Sequence, residues 1–178
     1  MSPVQVMTRS PADAASIRLL VLDVDGVLTD GRLYFGPRGE MLKAFHVRDG
    51  FGIKQLSQSG VEVAVISGRN SQAVGRRCRE LGIERVFQGA DEKLVVFKRL
   101  CADLAIPAAL CACIGDDSPD VPIMQEVGLA FAVADAHSEA RNAAHYVTSL
   151  PGGKGAVREV CDRLVAARSG TAALKASS

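Results

Sequence analysis

The sequence lacks any apolar run long enough to cross a bilayer. No hydrophobic stretch among its 178 residues approaches the roughly 18 residues that a membrane-spanning helix needs. The N-terminal segment MSPVQVMTRSPADAAS is polar, has Arg9 as its only basic side chain and contains no apolar core of a secretory signal. These absences argue against a membrane protein and lead us to expect a cytoplasmic one.

Cysteine pairs of the kind that bind metals or build disulfide frameworks are also absent. The five cysteines form no CxxC motif and are odd in number, so we expect reduced, packed thiols. They are Cys78, Cys101, Cys111, Cys113 and Cys161. On a strand, Cys111 and Cys113 would share one face. A CxC metal half-site is the alternative there, but partner cysteines or histidines at ligand spacing are missing.

Charge of one sign is not in excess. The formal net charge of +1 gives no global reason to expect a nucleic acid partner, although local basic clusters could bind a small anion. A hydrophobic fraction of 48% with 23% charged residues is ordinary for a soluble protein, and the length fits one domain. We assign this domain to residues 17–168 and expect flexible segments at residues 1–16 and 169–178.

Short β-branched runs alternate with helical patterns along the chain. The runs cover residues 17–24, 61–67, 109–115 and 128–134. Strands that are covered on both faces have continuous apolar sequences, so the alternation predicts an α/β fold with a doubly wound parallel sheet. Helices are predicted between the runs. One should start after Asp49 as its N-cap, and others should end at Gly82 and before Pro107.

One segment interrupts this alternation. In residues 31–47, GRLYFGPRGEMLKAFHV, two short apolar and aromatic runs flank the turn sequence GPRG. The pattern predicts a small β-hairpin after the first strand, in place of the first crossover helix.

Polar side chains follow the predicted strands, at the edge where open parallel sheets bind ligands. They are Asp23, Asp25, Ser67, Arg69, Asp116, Asp117 and Asp120, with Lys93 at the start of the helix before the third strand. Several carboxylates in one cleft repel one another unless a cation compensates, and oxygen ligands suit Mg²⁺. The sequence therefore predicts a magnesium site at this edge.

The same residues include the parts needed for phosphoryl transfer. Asp23 could attack phosphorus, while Asp25, two residues on, could protonate the leaving oxygen and later activate water. Ser67 and Lys93 would hold the phosphoryl oxygens. Two alternatives stay open, because Ser67 could cap the following helix and Lys93 lies in a charged stretch that could be solvated.

Four motifs carry a family resemblance. In chain order, DVDGVLTDG, ISGR, Lys93 and GDDSPD resemble the motifs of the haloacid dehalogenase superfamily of aspartate-nucleophile phosphatases. Over residues 17–165 the chain most resembles the 3-deoxy-D-manno-octulosonate 8-phosphate (Kdo 8-phosphate) phosphatase family, through FHVRDGFGIK, GDDSPDVPIM, VADAH and GGKGAVREVCD. The resemblance implies a Rossmann-like core without a large cap domain. It also implies Mg²⁺-dependent hydrolysis of Kdo 8-phosphate through an aspartyl-phosphate, in lipopolysaccharide biosynthesis.

The resemblance also implies individual roles. Asp23 would be the nucleophile and Asp25 the acid and base, and Mg²⁺ would be held by the Asp23 carboxylate, the Asp25 main-chain carbonyl and Asp116. Asp117 and Asp120 would support the metal waters or the substrate from nearby. The hairpin would project from the core of a homotetramer in which neighbouring subunits close the site.

A sugar acid carries a carboxylate besides its phosphate, so further cations are expected in the cleft. The resemblance places substrate contacts at His46, Val47, Arg48, Asp49, Gly50, Lys54, Arg69, Arg77, Lys93 and Asp117. Arg69 is the strongest of the cations because it directly follows a strand. Arg77 could instead lie on a solvated helix face, and His46 could be a packing residue. Lys154 stands where the family often has arginine, in a glycine-rich segment associated with closing over the site.

Other functions would use similar residues. A phosphatase for a related keto sugar acid, such as a sialic-acid-type 9-phosphate, would have the same catalytic motifs. A signalling receiver domain also combines aspartates, a hydroxyl and a lysine around Mg²⁺, but its phosphorylated aspartate follows a middle strand. Here DxDG follows the first strand and GDD a later one. A catalytically silent scaffold ranks last, since every required side chain is present.

Overall fold

A six-stranded parallel sheet forms the centre of the fold. The computed structural model describes residues 10–176. The strands are β1 (Leu19–Leu22), β2 (Tyr34–Gly36), β3 (Gly39–Leu42), β4 (Glu62–Ile66), β5 (Arg85–Phe87), β6 (Cys111–Gly115), β7 (Leu129–Ala132) and β8 (Tyr146–Val147). Six of them pair in parallel in the order β5-β4-β1-β6-β7-β8.

Within the described residues, six α-helices cover both faces of this sheet. They are α1 (Val47–Gln58), α2 (Gln72–Leu81), α3 (Lys93–Leu104), α4 (Val121–Glu126), α5 (Ser138–Ala143) and α6 (Ala156–Ala176). Because side chains alternate along a strand, Leu20 and Leu22 pack with α1, α2 and α6, whereas Leu19 and Val21 pack with α3, α4 and α5. The predicted doubly wound α/β fold is therefore confirmed.

The four predicted apolar runs all contain sheet strands, but β5 and β8 were not predicted. These two strands have three and two residues, which is too short for a periodic pattern. Cys111 and Cys113 share one buried face as predicted, and all five thiols are unpaired. The Sγ atoms of Cys101 and Cys111 are 3.8 Å apart.

The helix boundaries agree with prediction at some ends only. Gly82 ends α2 with a φ of 75°, a left-handed conformation that suits glycine, and α3 ends before Pro107. The prediction that Asp49 caps α1 is wrong, because the helix begins at Val47 and His46 caps it. Asp49 is instead buried in the first turn of the helix and accepts a hydrogen bond of 2.8 Å from the main-chain nitrogen of Arg158 in α6.

The flanking segments are partly ordered elements. The chain from Ala14 to Ser16 forms a helical turn beside α6, and the Arg168 side chain donates hydrogen bonds to the carbonyls of Ala15 and Ile17. The predicted C-terminal tail begins at residue 169, yet α6 continues through Ala176. The flexibility of these segments stays a prediction, and residues 1–9 and 177–178 lie outside the described part of the chain. None of the helices described between residues 10 and 176 is long and apolar enough to span a membrane.

The predicted hairpin is confirmed. Strands β2 and β3 pair antiparallel around the turn between Gly36 and Gly39, and they form a sheet separate from the central one. The order of the central sheet reverses at β1, since β4 and β5 lie on one side of it and β6, β7 and β8 on the other. Such a reversal opens a crevice at the carboxyl ends of the strands, and the hairpin follows β1 beside that crevice.

Candidate active site

The turn after β1 brings the first two aspartates to the crevice. The strand ends at Leu22, one residue before Asp23, and the chain then turns through Val24–Leu28. Gly26 has a φ of +91°, and a Cβ atom at this position would collide with the carboxylate of Asp116. A glycine is therefore required both for the turn and for the close approach of the loop after β6.

Three carboxylates converge at this point. Oxygen atoms of Asp23, Asp116 and Asp120 lie within 4.8 Å of one another. The buried ammonium of Lys93 lies 2.6 Å from Asp23 Oδ1 and 2.7 Å from Asp120 Oδ1. Lys93 is the first residue of α3. Because only 8% of its surface is exposed, the alternative that it is solvated is wrong.

The cluster combines three carboxylates with one ammonium, so negative charge is in excess. Burial and the Asp120 carboxylate raise the pKa of Asp23 to about 6, although Lys93 opposes this shift. Burial, together with the charges of Asp23, Asp120 and Asp117, raises the pKa of Asp116 to about 8. Burial would lower the pKa of Lys93, but its two carboxylate partners raise it. One ammonium therefore does not neutralise the cluster.

The donor set fits a hard divalent cation. Carboxylate oxygens are the ligands that Mg²⁺ prefers, and a metal charge would compensate the crowded aspartates. Asp120 is already bound through both oxygens, because Oδ1 contacts Lys93 and Oδ2 accepts hydrogen bonds from the main-chain nitrogens of Asp116 at 3.0 Å and Asp117 at 3.4 Å. Asp23 and Asp116 are thus the carboxylates best placed to hold Mg²⁺.

Asp25 lies between two cations. Its Oδ1 accepts a hydrogen bond from Lys43, and its Oδ2 is 3.8 Å from Nε of Arg69. Lys43 is also 3.3 Å from Glu40 Oε2. Sequence reasoning placed Arg69 here but missed Lys43 and Glu40, because a charged residue of a hairpin gives no local signal that it is buried.

Ser67 is placed for a role other than helix capping. It is buried after β4, and its hydroxyl accepts a hydrogen bond of 3.4 Å from the main-chain nitrogen of Arg69. Ser71, four residues later, caps α2 through the main-chain nitrogen of Val74. The capping alternative for Ser67 is therefore wrong, and its role as a phosphate contact stays a prediction.

The remaining predicted substrate contacts lie along α1 and α2. His46 accepts a hydrogen bond of 3.2 Å from the main-chain nitrogen of Arg48, and Val47, Arg48 and Lys54 are exposed. The Arg77 guanidinium lies against Gly50, where a Cβ atom would collide with it. No ion pair or hydrogen bond joins these side chains to the Asp23 cluster within residues 10–176.

Asp117 differs from the other acidic residues at the end of β6. Its carboxylate is exposed, accepts a hydrogen bond of 2.7 Å from the main-chain nitrogen of Ser118 and lies 3.7 Å from Nδ1 of His137. It therefore shapes the loop beside the cluster, and its contact with substrate stays a prediction.

The glycine-rich segment packs against the turn that carries Asp25. The main-chain nitrogen of Gly153 donates a hydrogen bond of 2.9 Å to the Val27 carbonyl, and a Cβ atom at Gly152 would collide with the Gly26 carbonyl. Asp135 also holds this segment, because its carboxylate accepts a hydrogen bond of 2.9 Å from the main-chain nitrogen of Gly152. Lys154 is exposed, so its contact with substrate stays a prediction.

Comparisons with known proteins agree on one family. A sequence profile of the haloacid dehalogenase-like hydrolases matches residues 85–158. The chain is 53% identical over 157 residues to 3-deoxy-D-manno-octulosonate 8-phosphate phosphatase KdsC of Escherichia coli K12, covering 88% of this chain and 84% of that protein.

Two solved structures extend the likeness to three dimensions. The phosphatase of the same name from Yersinia pestis has a TM-score of 0.86 and 50% identity, with 88% of this chain and 85% of that one covered. The Moraxella catarrhalis phosphatase, solved with magnesium, phosphate and KDO, has a TM-score of 0.86 and 41% identity, with 93% and 95% covered.

Metal and protons should compete for the carboxylate cluster. The raised pKa values of Asp23 and Asp116 contribute stability that is present at low pH and is lost as the pH rises through about 6 and about 8. Mg²⁺ binds the ionised carboxylates and offsets that loss. We expect the Tm of EDTA-treated protein to fall from about pH 4, where these carboxyls begin to ionise in the unfolded chain, to about pH 8. The Tm gain from Mg²⁺ should grow as the pH rises through about 6 and about 8, because the folded-state carboxylates ionise there.

The control for this measurement is a pair of aspartates. Asp116→Asn should lose most of the Mg²⁺-dependent gain in Tm, whereas Asp103→Asn, at an exposed position of α3, should keep it. A Tm that responds to Mg²⁺ equally in the Asp116→Asn variant would contradict the assignment of the metal site.

The close packing of Gly152 against the turn after β1 predicts that a larger residue is not tolerated there. Gly152→Ala should displace the Gly26 carbonyl and lower the free energy of unfolding by about 1–3 kcal/mol, as overpacking does. Both the Tm and the turnover rate should fall. Gly75→Ala in α2 is the matched control, because its Cβ would meet nothing closer than 3.6 Å and alanine favours the helix. Equal Tm values for the two variants would show that the segment does not brace the turn.

Proposed function

Because the chain belongs to the Kdo 8-phosphate phosphatase family of the haloacid dehalogenase-like hydrolases, we propose that it hydrolyses Kdo 8-phosphate to Kdo and phosphate with Mg²⁺. The observation that carries this proposal is the buried Lys93 ammonium between Asp23 and Asp120, beside Asp116 at the reversal point of the sheet. The Moraxella catarrhalis relative, solved with magnesium, phosphate and KDO in the same fold, supports the substrate and the metal.

In the proposed reaction Asp23 is the nucleophile. Its carboxylate oxygen bonds to phosphorus while the ester bond breaks, and the leaving oxygen takes a proton from Asp25. Asp25 then removes a proton from the water that bonds to phosphorus and releases Asp23 from the aspartyl-phosphate. Lys93 keeps Asp23 oriented, and with Ser67 it would hold the phosphoryl oxygens. When bound, Mg²⁺ supplies positive charge that compensates the aspartates and the phosphate.

The sugar acid would extend from the Asp25 side of the site towards the basic side chain of Arg69. We assign its carboxylate to Arg69, whose side chain is 46% exposed and whose guanidinium lies 6.0 Å from the centre of the Phe35 ring, so that it is accessible to an anion. The other predicted contacts, on α1 and α2, have no hydrogen bond or ion pair with the Asp23 cluster within residues 10–176. A neighbouring subunit would supply the remaining part of the substrate site. The product would feed lipopolysaccharide biosynthesis, and the unpaired thiols favour a cytoplasmic setting.

A substrate panel tests the proposal. With Mg²⁺ we expect kcat/KM for Kdo 8-phosphate to exceed that for sialic-acid-type 9-phosphates, hexose phosphates and nucleotides by at least about tenfold. A preference for the 9-phosphate would replace the substrate, and similar rates on all esters would indicate a broad phosphatase. Release of one sugar acid per chain, with the phosphoryl group retained on the protein and no further turnover, would indicate a receiver domain. Asp23→Asn should lower kcat at least about 10³-fold, and Asp103→Asn should not.

We also propose that the hairpin mediates self-association into a tetramer. Most of the exposed large hydrophobic residues lie there or at the start of α1, where they include Phe35, Met41, Val47 and Phe51, exposed by 54–80%. A cluster of this kind on a soluble protein marks an interaction surface. A second copy is the occupant that the family resemblance implies, and it would reach the neighbouring active site through the hairpin.

Sedimentation tests this assembly. A tetramer is expected for the wild type, and Met41→Asp should weaken it at least about tenfold, since a charge would be buried without a partner. Val95→Asp, at a 59% exposed apolar position of α3, is the matched control and should sediment as the wild type does. A wild-type monomer at micromolar concentration would refute the proposal.

A further inference from the structure

The hairpin supplies one side chain to the active site. Lys43 directly follows β3, yet its side chain is only 1% exposed. Its ammonium donates a hydrogen bond to Oδ1 of Asp25 and lies 3.3 Å from the Glu40 carboxylate. A lysine of a two-stranded projection is normally solvated, so this burial needs an explanation.

Glu40 connects Lys43 to the core. Its carboxylate accepts a hydrogen bond from the Ser71 hydroxyl, and the main-chain nitrogen of Ser71 donates one of 2.7 Å to the side chain of Gln88. Burial alone would raise the pKa of Glu40, but the hydrogen bond from Ser71 and the charge of Lys43 lower it. The carboxylate that holds Lys43 is thus itself held at the start of α2.

This arrangement distinguishes the two oxygens of Asp25. Lys43 donates its hydrogen bond to Oδ1, whereas Oδ2 lies 3.8 Å from Nε of Arg69, whose side chain is 46% exposed. Among the described residues 10–176 no hydrogen bond is donated to Oδ2, so this oxygen is the one left to act on the reacting atoms. Fixing a lysine side chain costs up to about 2 kcal/mol of rotamer entropy, and the two carboxylates on Lys43 offset that cost.

We propose that Lys43 is a positioning residue that orients the Asp25 carboxyl group for proton transfer to the leaving oxygen and from water. The inference rests on the proposed phosphatase function. In the first half-reaction Oδ2 gives its proton to the ester oxygen as the P–O bond breaks. In the second it takes a proton from the attacking water as the bond to Asp23 breaks. Lys43 stays bound to Oδ1 throughout.

The test compares two leaving groups. An alkyl phosphate such as Kdo 8-phosphate needs a proton on the leaving oxygen, whereas p-nitrophenolate leaves without one, and kcat/KM reports only the steps through the first bond cleavage. Lys43→Met should lower the ratio of alkyl to aryl kcat/KM at least about tenfold, in the same sense as Asp25→Asn. Lys43→Arg should restore part of the ratio, and Lys98→Met, at a 58% exposed lysine of α3, should keep it.

A double variant shows whether Lys43 acts through Asp25. In the Asp25→Asn background, Lys43→Met should change the alkyl kcat/KM less than about threefold, since coupled residues are not additive. Glu40→Gln, which loosens Lys43 without touching Asp25, should lower the ratio in the same direction and keeps the test available if Lys43→Met unfolds. Thermal unfolding of each variant identifies loss of fold.

Each outcome has one meaning. If Lys43→Met lowers kcat/KM equally on both esters, or if the losses in kcat/KM are additive in the double variant, Lys43 is a phosphate-binding cation. Either result would overturn the positioning role of Lys43 but leave the proposed phosphatase function intact. An Asp25→Asn variant without alkyl selectivity would instead remove the acid role from the proposed function. If another alkyl phosphate is the better substrate, it takes the place of Kdo 8-phosphate in the same ratio.

Discussion

The Lys93 ammonium, buried between Asp23 and Asp120, is the interaction on which the rest of the active site depends. It joins the end of β1 to the start of α3 and to the loop after β6, so three elements that are distant in sequence are held at one point. Partial neutralisation by one ammonium lets the aspartates approach, and the charge that remains makes the cluster suitable for a divalent cation. Such a buried ion pair contributes little net stability, because the cost of desolvating the charges offsets their attraction. Its effect here is on the relative positions of the three elements that it joins.

The hairpin formed by β2 and β3 also contributes to the active site, through Lys43. Families with a large cap domain cover their active sites with it, whereas this fold has two short strands, one of which ends beside Lys43. The same hairpin exposes Phe35 and Met41 to solvent. One small element thus carries both a buried ion pair with the active site and exposed apolar side chains.

Much of the site was predictable because neighbouring parallel strands end at one edge. Asp23, Ser67 and Asp116 follow β1, β4 and β6, and a sequence with apolar runs and turn signals reveals those ends. The short strands β5 and β8 gave no such pattern. Tertiary contacts were also hidden, because neither the contact of Lys43 with Asp25 nor the burial of Asp49 against α6 has a local signal. The capping role expected of Asp49 failed for the same reason, since a short polar residue near a helix start fits several positions.

The packing of Gly152 and Gly153 on the turn after β1 makes the site depend on the C-terminal part of the chain. Every predicted carboxylate of the site lies before the end of β7. A chain that stopped there would contain all of them, but it would lack the backbone that packs against the Gly26 carbonyl. The geometry of the turn that carries Asp25 is therefore set jointly by two segments from opposite ends of the domain.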